Sequence, residues 1–279
     1  MTAAQRPLKS GRLDGPGGTG MGRHSGSDGL PTLQNVSPAQ WEALARRRIL
    51  FGHQSVGGNI IAGVADLMAD HPEIRLTIST NRELGPDGPP AFHHVLIGRN
   101  DHPVEKFDDF ARVASGLGAS GDVAMMKLCY VDIHKQTDAR SLFDEYRRRV
   151  SDLRAKRPSL QIVHFTVPLT VVENWKGRVM AAATGNVTQR ERNIVRHRYN
   201  ELLRETFGGN EPVFDLARLE STLPDGSRAS FRAGDAAVPL LAASYTDDGG
   251  HLNAQGRGMV AEQLLVLLAR LTPEAGKAA

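Results

Sequence analysis

Hydrophobic positions along this chain recur with two periods, and the two kinds of segment follow one another. Short and nearly continuous apolar runs predict buried strands, at 48–51, 74–78, 123–131, 160–167 and 213–216. Apolar residues at helical spacing predict amphipathic helices between them, at 38–45, 57–69, 105–116, 139–156, 188–207 and 254–271. The alternation of strand and helix predicts parallel strands joined by crossovers.

This order of elements predicts an α/β fold, a three-layer α/β/α sandwich around a mostly parallel sheet. Residues 1–36 are rich in Gly, Ser, Pro and Arg and predict a disordered tail, with a second short tail at 273–279. A single domain is expected over 37–272. Two irregular stretches interrupt it, a loop of roughly twenty residues after 78 and the segment 168–186.

Composition narrows the classes of function without naming one. The formal net charge is +3, and no aromatic residues are interleaved with the basic clusters, so we expect no nucleic-acid partner. The single Cys129 excludes an internal disulfide and a cysteine-rich metal site. No apolar run approaches the ~18 residues of a membrane span, and no secretory signal is visible. We therefore expect a cytoplasmic protein, unless a leader is missing from this sequence; the oligomeric state is not indicated.

The segment Asp248-Gly249-Gly250-His251 places a carboxylate three residues before an imidazole, just ahead of the last helix. That pair suits a base and the group that orients it, and Ser55, after the first strand, is the candidate nucleophile. Each residue also has a structural interpretation. Ser55 could cap a helix, Asp248 and His251 could be turn and helix-start residues, and Asp247 competes with Asp248.

These residues resemble the SGNH/GDSL hydrolase family, whose serine follows the first strand and whose Asp-x-x-His precedes the last helix. The family's Gly-Asp-Ser falls on His53-Gln54-Ser55, so only the serine is retained. Its Gly-x-Asn-Asp falls on 129–132, where Cys129 replaces the glycine and Val131 the asparagine. The resemblance implies the three-layer fold and a catalytic triad of Ser55, His251 and Asp248, with no cofactor.

An oxyanion hole is implied by the same resemblance. Its donors would be the backbone N–H groups of Ser55 and Gly98, with Asn100 as a substitute for the missing asparagine. His53, Gln54, Tyr130 and Asp132 are candidates for contacts with substrate, although packing and capping explain them equally well. The histidines show no recognised ligand spacing, so no metal is expected.

Two charged features need partners or solvent. Lys127 lies inside a predicted buried strand, so we expect it to pair with Asp132 or Asp122. The charged helix that contains Arg196 is interpreted as a solvated surface.

The sequence thus predicts a serine esterase or deacylase acting on small-molecule or saccharide esters, with acetyl esters favoured by the resemblance. An O-acyltransferase using the same triad is the second hypothesis. A non-catalytic glycan-binding protein is the third, because the fold does not guarantee activity.

Overall fold

The computed structural model describes residues 30–119, 121–184 and 188–271. Of the predicted tails, residues 1–29 and 273–279 lie outside the described residues. Just before Ser37, a short 3-10 helix spans Leu33–Asn35. Leu33 and Val36 are buried in the core, and the Leu33 N–H donates to Glu262 Oε1 at 3.0 Å. The packed structure therefore includes residues from the segment predicted as tail.

Eight strands are present in the described residues. They are β1 Arg48–His53, β2 Ile78–Ser79, β3 Ala91–Leu96, β4 Val123–Met126, β5 Gln161–Phe165, β6 Val213–Phe214, β7 Ser230–Ala233 and β8 Ala236–Pro239. The first six form one sheet in the order β2-β3-β1-β4-β5-β6, and every pairing in it is parallel. β7 and β8 form a separate antiparallel hairpin.

Eight α-helices connect or flank these strands within the described residues. They are α1 Pro38–Ala45, α2 Val56–Asp70, α3 Pro103–Ala114, α4 Ala139–Lys156, α5 Trp175–Thr184, α6 Gln189–Phe207, α7 Leu216–Ser221 and α8 Ala254–Arg270. Further 3-10 turns occur at Tyr130–Asp132 and Ala243–Tyr245. No helix in the described parts of the chain combines the length and apolarity needed to traverse a bilayer.

The sheet separates two hydrophobic cores, because successive strand residues face opposite sides. In β1, Ile49 and Phe51 join the core shared with α1, α2, α7 and α8, whereas Leu50 joins the core shared with α3, α4 and α6. The predicted three-layer α/β/α sandwich is confirmed.

α2 and α8 pack closely against each other in the helical layer that also contains α1 and α7. A Cβ added at Gly63 of α2 would collide with the carbonyl oxygen of Arg257 and lie 2.9 Å from the Cβ of Ala261, both in α8. Only glycine permits this approach.

Three of the observed strands, β3 and the hairpin strands β7 and β8, were absent from the sequence prediction. β3 lies within the predicted twenty-residue loop and pairs with β1 along its whole length. Its two adjacent histidines, His93 and His94, break the apolar run by which a buried strand is recognised. The predicted strand at 74–78 is largely irregular, although Ile74 and Leu76 are buried as expected.

Other boundaries also differ from the prediction. β4 ends at Met126, so the predicted strand at 123–131 gives way to a loop and the 3-10 turn at Tyr130–Asp132. α5 lies within the segment predicted as irregular, and α7 replaces the end of the predicted strand at 213–216.

Parallel strands bring their carboxyl ends to one edge of the sheet, where ligands bind in folds of this type. The segments after β1, β3 and β4 carry Ser55, Gly98 and Tyr130 respectively. The topology therefore places most of the candidate residues at a common edge.

Candidate active site

Ser55 occupies a strained turn between β1 and α2. Its φ of 50° and ψ of −112° match the glycine-favouring position of a type II′ turn. The side chain makes no capping hydrogen bond to α2, although Ser55 is its N-cap residue. The interpretation of Ser55 as a simple helix cap is therefore wrong, and its hydroxyl is directed to another partner.

That partner is His251. The Ser55 Oγ lies 2.6 Å from His251 Nε2, and His251 Nδ1 lies 2.6 Å from Asp248 Oδ2. The structure thus joins the three predicted residues in one line of hydrogen bonds, with an imidazole between a hydroxyl and a carboxylate. This arrangement can remove a proton from the hydroxyl and stabilise the imidazolium that forms.

The turn around Asp248 fixes the carboxylate. Oδ1 accepts the backbone N–H groups of Gly250 at 2.9 Å and His251 at 2.8 Å. These two bonds and the imidazole hold the pKa of Asp248 well below its usual range, so it stays ionised. Asp247 instead accepts from the side-chain amide of Asn253 at 3.3 Å, so Asp248 is the residue that orients His251.

The site is open to solvent. The side chains of His251 and Asp248 are 42% and 57% exposed. Substrate can approach the nucleophile without passing through an enclosed cavity.

The backbone N–H of Ser55 suits the predicted oxyanion role, because it has no hydrogen-bond partner among the described residues. The N–H of Gly98 does not suit it. This N–H donates to Asp109 Oδ2 at 2.9 Å, so the prediction of Gly98 as an oxyanion donor is wrong. With φ of +48°, Gly98 instead forms a turn that is closed by a carboxylate from α3.

Asn100 is directed elsewhere as well. Its Oδ1 accepts from Lys106 Nζ at 2.8 Å, and no hydrogen bond in the described parts of the chain joins it to Ser55 or His251. The oxyanion role of Asn100 therefore stays a prediction without a supporting contact.

Asp132 is a structural residue and does not line a substrate pocket, contrary to the prediction. It forms a fully buried ion pair with Lys106, 2.6 Å from Nζ to Oδ2. The same carboxylate accepts the backbone N–H groups of Cys129 at 2.6 Å and Asp101 at 3.0 Å. It therefore ties the loop after β3 to the loop after β4.

Lys127 has neither of its predicted hydrogen-bond partners. Asp122 binds the guanidinium of Arg48, with Nε to Oδ1 at 3.0 Å, and Asp132 binds Lys106. Lys127 Nζ is 3.3 Å from the carbonyl oxygen of Leu128. Burial is the main cause that lowers the pKa of Lys127.

His53 and Gln54 are packed next to Ser55 and contact the strand and loop beside it. His53 is only 2% exposed, and its Nε2 lies 3.2 Å from His94 Nδ1, so its predicted contact with substrate is wrong. Burial, with nearby Lys127, lowers the pKa of His53 to about 3, which keeps the ring neutral. Gln54 Nε2 donates to the carbonyl oxygens of Ile97 and Gly98, which holds the neighbouring loop in place.

Tyr130 is the predicted substrate-contact residue that lies beside the triad. Its ring is edge-on to the His251 ring, with centroids 5.8 Å apart, and its hydroxyl lies near the Ser55 side chain. Below it, Arg196 Nε donates to the Tyr130 carbonyl oxygen at 3.0 Å. Arg196 is fully buried, so its interpretation as part of a solvated surface is wrong.

No pattern in the sequence indicates the roles of Arg196 and Asp109. Both lie on helices with many charged residues, and their roles depend on which side of the helix meets the loops. Within the described residues, no group of three or more His, Cys, Asp or Glu side chains is arranged to hold a metal ion.

No protein-family model matches the sequence, and no curated protein matches it. Among solved structures, it is similar to a GDSL-like lipase from Bacteroides thetaiotaomicron, with 10% identity, 84% of this chain and 100% of that chain covered, and a TM-score of 0.48. A member of the lipolytic protein G-D-S-L family from Veillonella parvula has 11% identity, 80% and 98% coverage, and a TM-score of 0.47. An acetyl esterase has 14% identity, 81% and 97% coverage, and a TM-score of 0.40. At these levels of similarity, function must be inferred from the geometry of the site.

Proposed function

We propose that the protein is a serine hydrolase that cleaves carboxylic esters through Ser55, His251 and Asp248. The proposal rests on the line of hydrogen bonds that runs from Asp248 through His251 to Ser55. Its two side-chain distances of 2.6 Å lie within the range expected for a nucleophile, its base and the group that orients the base.

The first half-reaction acylates Ser55. Its Oγ attacks the ester carbonyl carbon while His251 Nε2 takes the hydroxyl proton, and the carbonyl oxygen becomes an oxyanion that the Ser55 N–H can bind. When the tetrahedral intermediate collapses, the alcohol leaves with the proton from His251. Asp248 stabilises the imidazolium throughout and keeps Nδ1 protonated.

The second half-reaction releases the acid. His251 removes a proton from water, the hydroxide attacks the acyl carbon, and Ser55 Oγ departs with that proton. No cofactor takes part. A sugar hydroxyl in place of water would make the protein an O-acyltransferase.

The proposed substrates are short-chain esters, with an acetyl group on a saccharide as the favoured case. The exposure of His251 and Asp248 supports a substrate whose alcohol portion is bulky and remains partly in solvent. A polar saccharide fits an open site of this kind better than a long acyl chain, which needs an apolar channel.

The test uses p-nitrophenyl acetate with the wild type and Ser55→Ala. We expect hydrolysis by the wild type and a loss of at least ~10³-fold in the variant, because the nucleophile is gone. Ser151→Ala is the matched control, since Ser151 lies exposed on α4, and should retain full activity. Equal rates for Ser55→Ala and the wild type would contradict the proposal.

A fluorophosphonate probe separates an active site from a binding site. We expect covalent labelling that mass spectrometry assigns to Ser55. Saccharide binding without labelling or hydrolysis would instead favour the glycan-binding hypothesis. Product analysis with water and a sugar in competition distinguishes hydrolysis from acyl transfer.

A further inference from the structure

The proposed mechanism leaves the oxyanion with one clear donor, the Ser55 N–H. The Gly98 N–H is bonded to Asp109, and both Gln54 Nε2 bonds go to carbonyl oxygens. Val131 stands where the resemblance would place an asparagine and has no polar side chain. A tetrahedral intermediate bound by a single N–H would lose much of the usual electrostatic stabilisation.

The Tyr130 hydroxyl lies where a further donor is needed. It lies near the Ser55 side chain, and its ring meets His251 edge-on. A Cβ added at Gly250 would lie 3.0 Å from the Tyr130 Oη, so the hydroxyl also packs directly against the turn that carries His251. Tyr130 thus borders the nucleophile and the base at once.

The surroundings hold Tyr130 firmly in this position. Arg196 binds its carbonyl oxygen, and the Arg196 guanidinium carbon lies 5.7 Å from the Tyr130 ring centroid. Thr170 Oγ1 and Asn193 Oδ1 accept hydrogen bonds from Arg196 Nη1 at 2.9 and 2.6 Å. A buried and fully engaged arginine therefore supports the 3-10 turn from below.

We propose that the Tyr130 hydroxyl is the side-chain donor of the oxyanion hole and acts together with the Ser55 N–H. This assignment rests on the proposed function of Ser55. Before substrate binds, the phenol lies beside Ser55. Once Oγ attacks, rotation about the phenol C–O bond directs the O–H at the adjacent carbonyl oxygen.

The phenol keeps its proton during this step. Burial, with Asp248 and Cys129 nearby, raises the pKa of Tyr130, while Arg196 and the Ser55 side chain oppose that shift. The hydroxyl therefore acts as a neutral hydrogen-bond donor at working pH, without transferring its proton. Tyrosine is a known donor type for oxyanions.

The experiment compares Tyr130→Phe, Asn100→Ala and Tyr146→Phe. Tyr130→Phe removes one oxygen and keeps the ring, so we expect kcat to fall by roughly 10²-fold with KM within about threefold. Tyr146→Phe is the matched control. Its hydroxyl bonds to His164 in the other core, so activity per folded molecule should be unchanged. Asn100→Ala tests the rival donor: a fall of kcat in this variant but not in Tyr130→Phe would assign the side-chain donor to Asn100 and overturn the Tyr130 assignment.

A second measurement reports on the oxyanion directly. A trifluoromethyl ketone forms a hemiketal with the serine and carries the oxyanion of the tetrahedral intermediate. Its Ki should rise in Tyr130→Phe by about the same factor by which kcat/KM falls. Rates are expressed per Ser55 site titrated to completion with the fluorophosphonate, which corrects for any loss of folded protein.

Two results would overturn the inference, and they are distinguishable. If Tyr130→Phe keeps the wild-type kcat and Ki while Ser55 hydrolyses and is labelled, the Tyr130 assignment is wrong and the proposed function stands. If the wild type shows neither hydrolysis nor labelling at Ser55, the proposed function fails and the assignment of Tyr130 fails with it.

Discussion

Asp248 binds His251 twice, through its two carboxylate oxygens. Oδ2 lies 2.6 Å from the ring Nδ1, and Oδ1 accepts the backbone N–H of the same residue at 2.8 Å. The carboxylate therefore fixes the orientation of the ring and the conformation of the turn that carries it. Since Nδ1 must donate in this arrangement, Nε2 is left free to accept the proton of Ser55.

Asp248→Asn should lower kcat by about 10³–10⁴-fold, because an amide can donate to Nδ1 and stabilise the wrong tautomer of His251. Asp247→Asn is the matched control. This substitution leaves the contacts of Asp248 with His251 unchanged, so esterase activity should remain within about threefold of the wild type. Comparable losses in both variants would contradict the assignment of the orienting role to Asp248.

Ser55→Gly should be more stable than Ser55→Ala. The backbone at this position has a φ of 50°, which costs a non-glycine residue on the order of 1–3 kcal/mol. Glycine removes that strain but gains chain entropy in the unfolded state, so we expect a net advantage of about 1 kcal/mol over alanine. Urea unfolding of the two inactive variants measures the difference, and an equal or lower stability of Ser55→Gly would show that the turn is not strained.

Gly57→Ala and Gly58→Ala should have different effects on the free energy of unfolding. A Cβ at Gly57 would collide with the Cβ and ring of His53, whereas a Cβ at Gly58 meets nothing within 4 Å. We expect Gly57→Ala to lose about 1–3 kcal/mol of unfolding free energy from overpacking. Gly58→Ala, in the first turn of α2, should be neutral or gain up to about 1 kcal/mol. Thermal melts of both proteins test this, and similar melting temperatures would be inconsistent with the tight turn.

Stability should fall in mild acid. The pKa of His53 is about 3 in the folded protein, against about 6.5 in an unfolded chain. The unfolded state thus binds the proton more tightly, so stability is full above pH ~6.5 and declines as pH falls from there towards 3. When the pH is lowered from 7.5 to 5.0, the preference of His53 for the proton in the unfolded state should reduce the free energy of unfolding by on the order of 1–2 kcal/mol.

The measurement for this pH effect is urea unfolding at both pH values. His164, with a pKa of about 3 from burial and Arg154, adds a loss in the same direction. His53→Gln should therefore reduce the decline without abolishing it. An unchanged decline would mean that His53 is accessible to protons in the folded state.

Lys106→Met should destabilise the protein by about 3–5 kcal/mol, because it leaves the Asp132 carboxylate buried without its cation. The matched control is Arg99→Gln. Arg99 pairs with Glu105 at the surface, with side chains 70% and 43% exposed, and such pairs contribute no more than about 1 kcal/mol. Chemical denaturation of the two variants gives the comparison, and similar losses would refute the structural role of Asp132.

The alternation of strands and helices was sufficient to predict the fold, because it depends on local periodicity and on the short crossovers between parallel strands. The sequence also singled out Ser55, Asp248 and His251 at the ends of elements, and the structure brings the three side chains together. β3 could not be predicted in the same way, because His93 and His94 make a buried strand resemble a polar loop.

The surroundings of the triad were harder to predict, because they depend on contacts between distant elements. Gly98 has the local pattern of an oxyanion donor, but α3 brings Asp109 onto its N–H. The position of Asp132 at the end of a predicted strand suggests a pocket residue, but the fold buries its carboxylate against Lys106. The burial of Arg196 depends on how α6 packs against the turn that contains Tyr130.

The close approach of α2 and α8 at Gly63 has a mechanical consequence for the site. The chain enters α2 directly after Ser55, and it enters α8 three residues after His251. The distance between the two helices therefore sets the distance between the Ser55 hydroxyl and the His251 imidazole. A bulkier residue at Gly63 would push α2 and α8 apart. Such a buried substitution would lower the reactivity of Ser55 although it contacts none of the reacting atoms.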